Sequence, residues 1–168
     1  MDFALPYTEE QQRFRQEVLT WIEKNIPEDK RDPIDPGDWN TELFWFWREK
    51  HQEIAKKGWL YPTLPKEYGG GGLTGDHETI IEEEFARARI PGNFTSANVI
   101  PGIMVWGSEE QKQRILKPIL LAEKVCWHKL TEPKGGADLA NYQGRAVRDG
   151  DDWLLTGQNV FIGSYGQG

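Results

Sequence analysis

A single change of hydrophobic period governs how this chain can fold. Over about 120 residues from Thr8, apolar side chains recur at helical spacing. From Val125 onward they alternate, or run in short blocks between turn signals. Helices first and strands later predict segregated elements, an α+β arrangement. The boundary falls near Glu123, so that 1–123 is an all-α helical bundle and 124–168 is the beginning of a β domain.

The helical half carries its own punctuation. Thr8-Glu9-Glu10-Gln11 and Ser108-Glu109-Glu110-Gln111 are capping boxes, each placing a hydroxyl and a returning glutamine at a helix start. Phe14, Val18, Trp21 and Ile22 share one face of the first helix, which Pro27 ends. Residues 27–38 read as a loop. A second helix is expected from about Thr41 to Lys57, with Gly58 in the left-handed position beyond it. Its block Leu43–Trp47 is apolar all round, which calls for burial on more than one side. Trp59–Pro65 reads as extended and Gly69–Gly72 as a flexible turn. Ile81, Phe85 and Ala88 mark a third helix with Glu82–Glu84 as a solvated face. A fourth helical segment covers Thr95–Trp106, with Pro101 kinking it or opening a new turn. In the last helix Pro118 is expected to shorten the pattern. Beyond the boundary, strands are expected over Val125–Leu130, Tyr142–Val147, Trp153–Thr156 and Asn159–Ile162, with Asp149-Gly150-Asp151 as a hairpin turn.

Composition excludes several classes of function. The net charge is −7 over 168 residues, which argues against a nucleic-acid partner, since phosphate contacts need a basic face. No apolar run is long enough to span a bilayer. Residues 1–6 lack the pattern of a secretory signal, and one cysteine, Cys126, cannot form an internal disulfide. The expectation is a cytoplasmic protein with Cys126 as inert core. His51, His77 and His128 have no metal-ligand spacing, so no metal site is expected. Gly69–Gly72 has neither the preceding strand nor the following Gly-Lys-Ser/Thr of a phosphate loop.

Several pieces then fall in a characteristic order. They are Pro65-Lys66-Glu67-Tyr68-Gly69-Gly70, Glu83-Glu84-Phe85-Ala86-Arg87-Ala88, Gly107-Ser108-Glu109-Glu110-Gln111, Leu130-Thr131-Glu132-Pro133 and Gly157-Gln158. In this order and at these gaps the chain resembles the acyl-CoA dehydrogenase family of flavoproteins, over essentially its whole length. The resemblance implies the helical domain of that family followed by the first half of its β-barrel-like, flavin-binding middle domain. It implies FAD as cofactor and an acyl-CoA thioester as substrate, desaturated at the α,β position. Electron-transfer flavoprotein or a similar acceptor, and a dimeric or tetrameric homo-oligomer, are the implied partners. The catalytic glutamate of most members belongs to a C-terminal domain, so none is expected among these residues and the chain alone is expected to be inactive.

The residues that the resemblance sets against the flavin are His128, Leu130 and Thr131, with Thr131 as hydroxyl donor to the ring. Gly136 and Ala137 follow on a turn where the backbone approaches closely. Phe161, Ile162, Gly163 and Ser164 complete the set on the last strand. Phe94–Ile103 corresponds to a helix that lines the acyl pocket in relatives. Two positions depart from the family pattern. Lys134–Ala137 replaces the usual Gly-Ala-Gly-Ser, and Gly163 stands where many members carry threonine. Two alternatives stay open: a flavin oxidase or monooxygenase of the same superfamily, and a non-catalytic subunit or interaction module on the same fold.

Overall fold

The structure, a computed structural model, describes residues 7–95, 98–127 and 129–160, apart from the side chain of Pro36. The described residues divide into two compact units, one up to Cys126 and one from Trp127. Among them no helix is long and apolar enough to cross a membrane.

The first unit is helical. Helix α1 spans Glu9–Asn25. Its capping box closes as expected: the Gln11 N–H donates to the Thr8 hydroxyl at 3.2 Å, and the Thr8 N–H donates to the Gln11 side chain at 2.8 Å. Val18 and Ile22 are buried. Helix α2 spans Thr41–Lys56, and Asn40 caps it by accepting from the Leu43 N–H. Gly58 follows at φ +75°, the left-handed conformation anticipated for it. Helix α3 spans Gly75–Arg87 and packs on α1.

Helix α4 is shorter than the expected Thr95–Trp106 and runs Val99–Trp106. Pro101 lies in its first turn, where a missing N–H costs no intrahelical bond. Helix α5 follows as three continuous pieces: Glu109–Gln111, a π-helical turn Lys112–Leu116, and Lys117–Leu120. Pro118 therefore does not stop the helix. The Lys117 N–H bonds five residues back to Lys112, and the wider turn that this makes precedes the proline ring.

Two apolar clusters fill the unit. The larger joins Val18, Ile22, Leu43, Trp47, Ile54, Trp59, Ile81 and Phe94. The smaller joins Tyr68, Ile100, Leu116, Ile119 and Leu120. The all-round apolar block of α2 is only partly covered: Trp47 is fully buried, while Trp45 remains 60 % exposed. Phe94 stacks on Phe44 at 5.0 Å in the larger cluster. Tyr68 donates its hydroxyl proton to Glu109 at 2.8 Å. That bond pushes the phenol pKa up to about 12 and lowers that of Glu109.

The tetraglycine run departs most from expectation. It is a paired strap, not a flexible turn. Gly70 N–H donates to Pro65, Gly71 to Tyr61, Gly72 to Leu64 and Leu73 to Pro62, at 2.7–3.0 Å. A Cβ on Gly70 would lie 2.3 Å from the Leu64 carbonyl oxygen, and one on Gly71 would lie 2.1 Å from that of Gly58. Only glycine permits this approach. The partner stretch is not extended either, since the Leu64 N–H turns back to Tyr61.

The acidic stretch of α3 is also not one solvated face. Glu82 is exposed, but Glu84 is 2 % exposed. Its carboxylate accepts from Arg15 at 2.6 Å and is also paired with Arg87. Beside it the Tyr7 hydroxyl donates to Glu83 at 2.6 Å, which holds that phenol above its usual range. Truncating Glu84 to Ala should destabilise the chain by about 2 kcal/mol. Breaking a buried pair costs more than that, but here the arginines keep contact with water and screening reduces the loss. Arg15 is 31 % and Arg87 57 % exposed. The midpoint of urea unfolding checks this, and an unchanged midpoint contradicts it.

The second unit contains one antiparallel hairpin, β1 Arg145–Asp149 and β2 Asp152–Thr156, in the register Arg145↔Thr156 to Asp149↔Asp152. Gly150 takes φ +62° in the turn. The strand expected over Val125–Leu130 does not form among the described residues. No neighbouring strand pairs with that stretch, and the Cys126 N–H is taken by the Thr95 hydroxyl at 3.3 Å instead. Cys126 is half-buried and packs against the smaller cluster. Asn159 and Val160, the described part of the last expected strand, are likewise not in a ladder.

Candidate functional site

The turn after Leu130 is built around one carboxylate. Glu132 and Gly135 exchange both backbone hydrogen bonds, N–H of Glu132 to Gly135 at 3.0 Å and N–H of Gly135 to Glu132 at 3.1 Å. This closes a tight loop over Pro133-Lys134. The Glu132 side chain then accepts from the backbone N–H groups of Gln143 at 2.7 Å and Gly144 at 2.8 Å. Carboxylate acceptors make the stronger class of hydrogen bond. The clamp explains why β1 starts at Arg145 and not at Tyr142: the two preceding amides are already occupied. A Cβ on Gly144 would lie 3.0 Å from a Glu132 oxygen, so a side chain there would press on the clamp.

A second set of bonds sets the rim of the turn. The Tyr142 hydroxyl donates to the Gly136 carbonyl at 2.7 Å. The Val160 N–H donates to the Thr131 carbonyl at 2.9 Å, and the Asn159 side-chain amide donates to that of Leu130 at 3.2 Å. The sequence-expected residues Leu130 and Thr131 are thus drawn beside Asn159–Val160. Leu130 is 40 % exposed and Thr131 half-buried. The Thr131 hydroxyl has no hydrogen-bond partner among the described residues. Gly136 and Ala137 lie exposed on the following turn, and a Cβ on Gly136 would meet nothing within 4 Å. His128, Phe161, Ile162, Gly163 and Ser164 lie outside the described residues.

Sequence reasoning singled out Thr131 and passed over its neighbour. Glu132, Tyr142 and Asn159 hold the turn, and each acts across a gap of at least six residues. Within the sequence, a small residue at Gly144 was the one available signal. Glu132→Gln keeps the acceptor oxygen on one side only and removes the charge. It should loosen residues 143–144 and raise their amide hydrogen exchange at least tenfold, in line with a net contribution of about 1.5–3 kcal/mol for a charged hydrogen bond. Unchanged exchange at those amides would remove the clamp from the account.

No metal-binding group of three or more His, Cys, Asp or Glu side chains occurs among the described residues.

Comparisons with known proteins point one way. The model of the acyl-CoA dehydrogenase N-terminal domain matches residues 8–123. Acyl-CoA dehydrogenase FadE26 of Mycobacterium tuberculosis is 32% identical over 158 residues, covering 94% of this chain and 40% of that protein. A 3-(aryl)acrylate reductase of Clostridium sporogenes is 32% identical over 151 residues, covering 87% of this chain and 39% of its own length. Among solved structures, the ChsE4–ChsE5 complex from Mycobacterium tuberculosis superposes with a TM-score of 0.72 at 32% identity, over 96% of this chain and 40% of that one. The chain therefore spans about two fifths of the length of the relatives it matches.

Proposed function

Since this chain belongs to the acyl-CoA dehydrogenase family, we propose that it supplies the helical domain and the first strands of the flavin-binding domain of an FAD-dependent enzyme. The reaction is introduction of an α,β double bond into an acyl-CoA thioester. A relative of known structure, the acyl-CoA dehydrogenase of Bacillus anthracis, is complexed with FAD, which supports the same cofactor here. Electron-transfer flavoprotein or a similar carrier is the acceptor, the protein works as a homo-oligomer, and it resides in the cytoplasm. A solved relative described as an electron-transferring flavoprotein supports the carrier, and one that is a complex of two named components supports an assembly of more than one chain.

The carrying observation is a hydroxyl without a partner among the described residues, on a turn held by the Glu132–Gly135 backbone exchange and the Glu132 carboxylate. Thr131 fits the role of a donor to the flavin ring because its backbone is held and its side chain is not used. Gly136 fits close approach of a ligand, because a Cβ there would meet nothing within 4 Å. His128, Leu130, Ala137, Phe161, Ile162, Gly163 and Ser164 complete the proposed cofactor contacts. When bound, FAD supplies an acceptor for the hydride that leaves the β-carbon. The part left to Thr131 is preorganisation: a donor already in place costs no reorganisation when charge develops opposite it. Leu130, with its side chain partly exposed, excludes water from the same edge.

The test is to purify the protein from its complete reading frame and record its visible spectrum. Bound flavin absorbance and conversion of acyl-CoA to enoyl-CoA with an electron-accepting dye are expected. Replacing Thr131 with Val should weaken FAD binding about tenfold, the equivalent of one hydrogen bond of ordinary strength, without changing the far-UV spectrum. A colourless protein that takes up no FAD on reconstitution would overturn the proposal.

A further inference from the structure

A cleft of about 520 Å³ opens within the helical unit between α3, residues 60–64 and residues 90–93, away from any residue assigned above to the flavin. That volume lies in the range of small-molecule sites. Leu60, Leu64, Phe85 and Ile90 line it, and each is half-buried, so apolar surface stays open to a ligand. Glu78 and Glu82 stand on the α3 wall, the first half-buried and the second exposed. They are four residues apart on one helix, which sets their Cβ atoms roughly 6 Å from each other on the same face. Like charges so placed repel. The ion pairs of α3 go to Glu83 and Glu84 instead, and Glu78 accepts only from the Thr63 hydroxyl, at 3.1 Å.

Nothing in the chain answers these two charges. No lysine or arginine lines the cleft among the described residues. Residues 1–6, 96, 97, 128 and 161–168 contain none either. Burial keeps His51 neutral down to about pH 4 and lifts the Tyr61 phenol above its usual range, so the two carboxylates are the whole charge of the lining. An anion is repelled by both of them. A neutral alcohol leaves them without a countercharge, and a wholly polar cation gains nothing from the apolar walls. An amine with a hydrocarbon body meets both requirements. Its body removes apolar surface from water, and its head has three N–H donors to share between two carboxylates. We propose that this cleft is a binding site for a small apolar amine, its ammonium head bridging Glu78 and Glu82 and its hydrocarbon body lying against Leu60, Leu64, Phe85 and Ile90.

The experiment titrates the full chain with hexylamine at pH 7.5, and in parallel with hexanol, hexanoate and methylamine, by calorimetry. Hexylamine is expected to bind at least about tenfold more tightly than each of the others, the low end for one charge-assisted hydrogen bond. Glu78→Gln with Glu82→Gln keeps both side-chain shapes and removes both charges. It should bring hexylamine to within about threefold of hexanol while leaving hexanol where it was. Ala86 lines the cleft from an exposed position, so Ala86→Trp obstructs it without disturbing the core and should abolish uptake. Hexanol or hexanoate binding as tightly as hexylamine, no uptake of hexylamine, or hexylamine binding untouched by either variant would each overturn the proposal. So would uptake of the peptide acetyl-Leu-Lys-Leu-amide where hexylamine is refused, which would make the cleft a protein-docking groove. None of these outcomes bears on flavin binding, which is read separately from the visible spectrum.

Discussion

Replacing Trp47 with Ala should cost about 4 kcal/mol, the loss typical of a large aromatic cut from a packed core. Trp47 is fully buried at the centre of the larger cluster. Its indole N–H donates to the Lys30 carbonyl at 2.7 Å, tying α2 to the loop after α1. The alanine variant loses the apolar surface, leaves a cavity, and strands that carbonyl without its donor. Domains of this kind are stable by only about 5–15 kcal/mol, so much of the folded population is at stake. Trp47→Phe separates the two effects. It keeps most of the ring volume and loses the hydrogen bond, so its cost should fall near 1–2 kcal/mol. Urea unfolding of the three proteins by circular dichroism measures both differences. An alanine variant within 1 kcal/mol of the parent would mean that α2 is not packed as described.

Acid should weaken the chain through His51. Burial is the main cause that lowers its pKa from 6.5 to about 4, opposed by the bond to Pro91 and assisted by Arg48. In the unfolded chain the imidazole takes up its proton at about pH 6.5. In the folded chain it stays neutral until about pH 4. The unfolded state therefore binds more protons between these values, and stability falls as pH drops through that window. Above pH 6.5 both states are neutral and His51 contributes no slope. The whole effect amounts to roughly 3 kcal/mol, about 1.4 kcal/mol for each unit of difference. Carboxylates add their own slope in acid, so the comparison is with a His51→Gln variant. The parent should lose more thermal stability than the variant between pH 7 and pH 4, and parallel profiles would contradict a buried neutral imidazole.

The helices were legible because their signals are local. Thr8 and Gln11, or Ser108 and Gln111, sit three residues apart and close their bonds within one turn. Gly58 announces a left-handed residue wherever it stands. The hairpin was legible for the same reason, since Asp149-Gly150-Asp151 specifies its own reversal. What could not be read acts over distance. Glu84 looks like a member of an acidic face until Arg15, 69 residues away, is brought to it. Val125–Leu130 has the composition of a strand, but composition supplies no neighbour to pair with. The four glycines looked pliant because the amide partners that fasten them lie in another segment. In the candidate site the same limit applied: Thr131 is proposed through a motif, while the carboxylate beside it gained its meaning only from the amides of Gln143 and Gly144.

The glycine strap has a consequence for how this protein can change. Between Gly58 and Leu73 the chain is fastened backbone to backbone, and Trp59 and Tyr68 within it are buried in the two clusters. Sequence drift that is harmless elsewhere should be lethal at Gly70 and Gly71, where any other residue would drive main chain against main chain. Room to vary lies instead at the hairpin tip beside Gly150, at the exposed Asp151, with Gly150 itself kept for its φ of +62°. An inserted peptide or affinity handle belongs at that tip, and a random library through the strap would return almost nothing but its starting sequence.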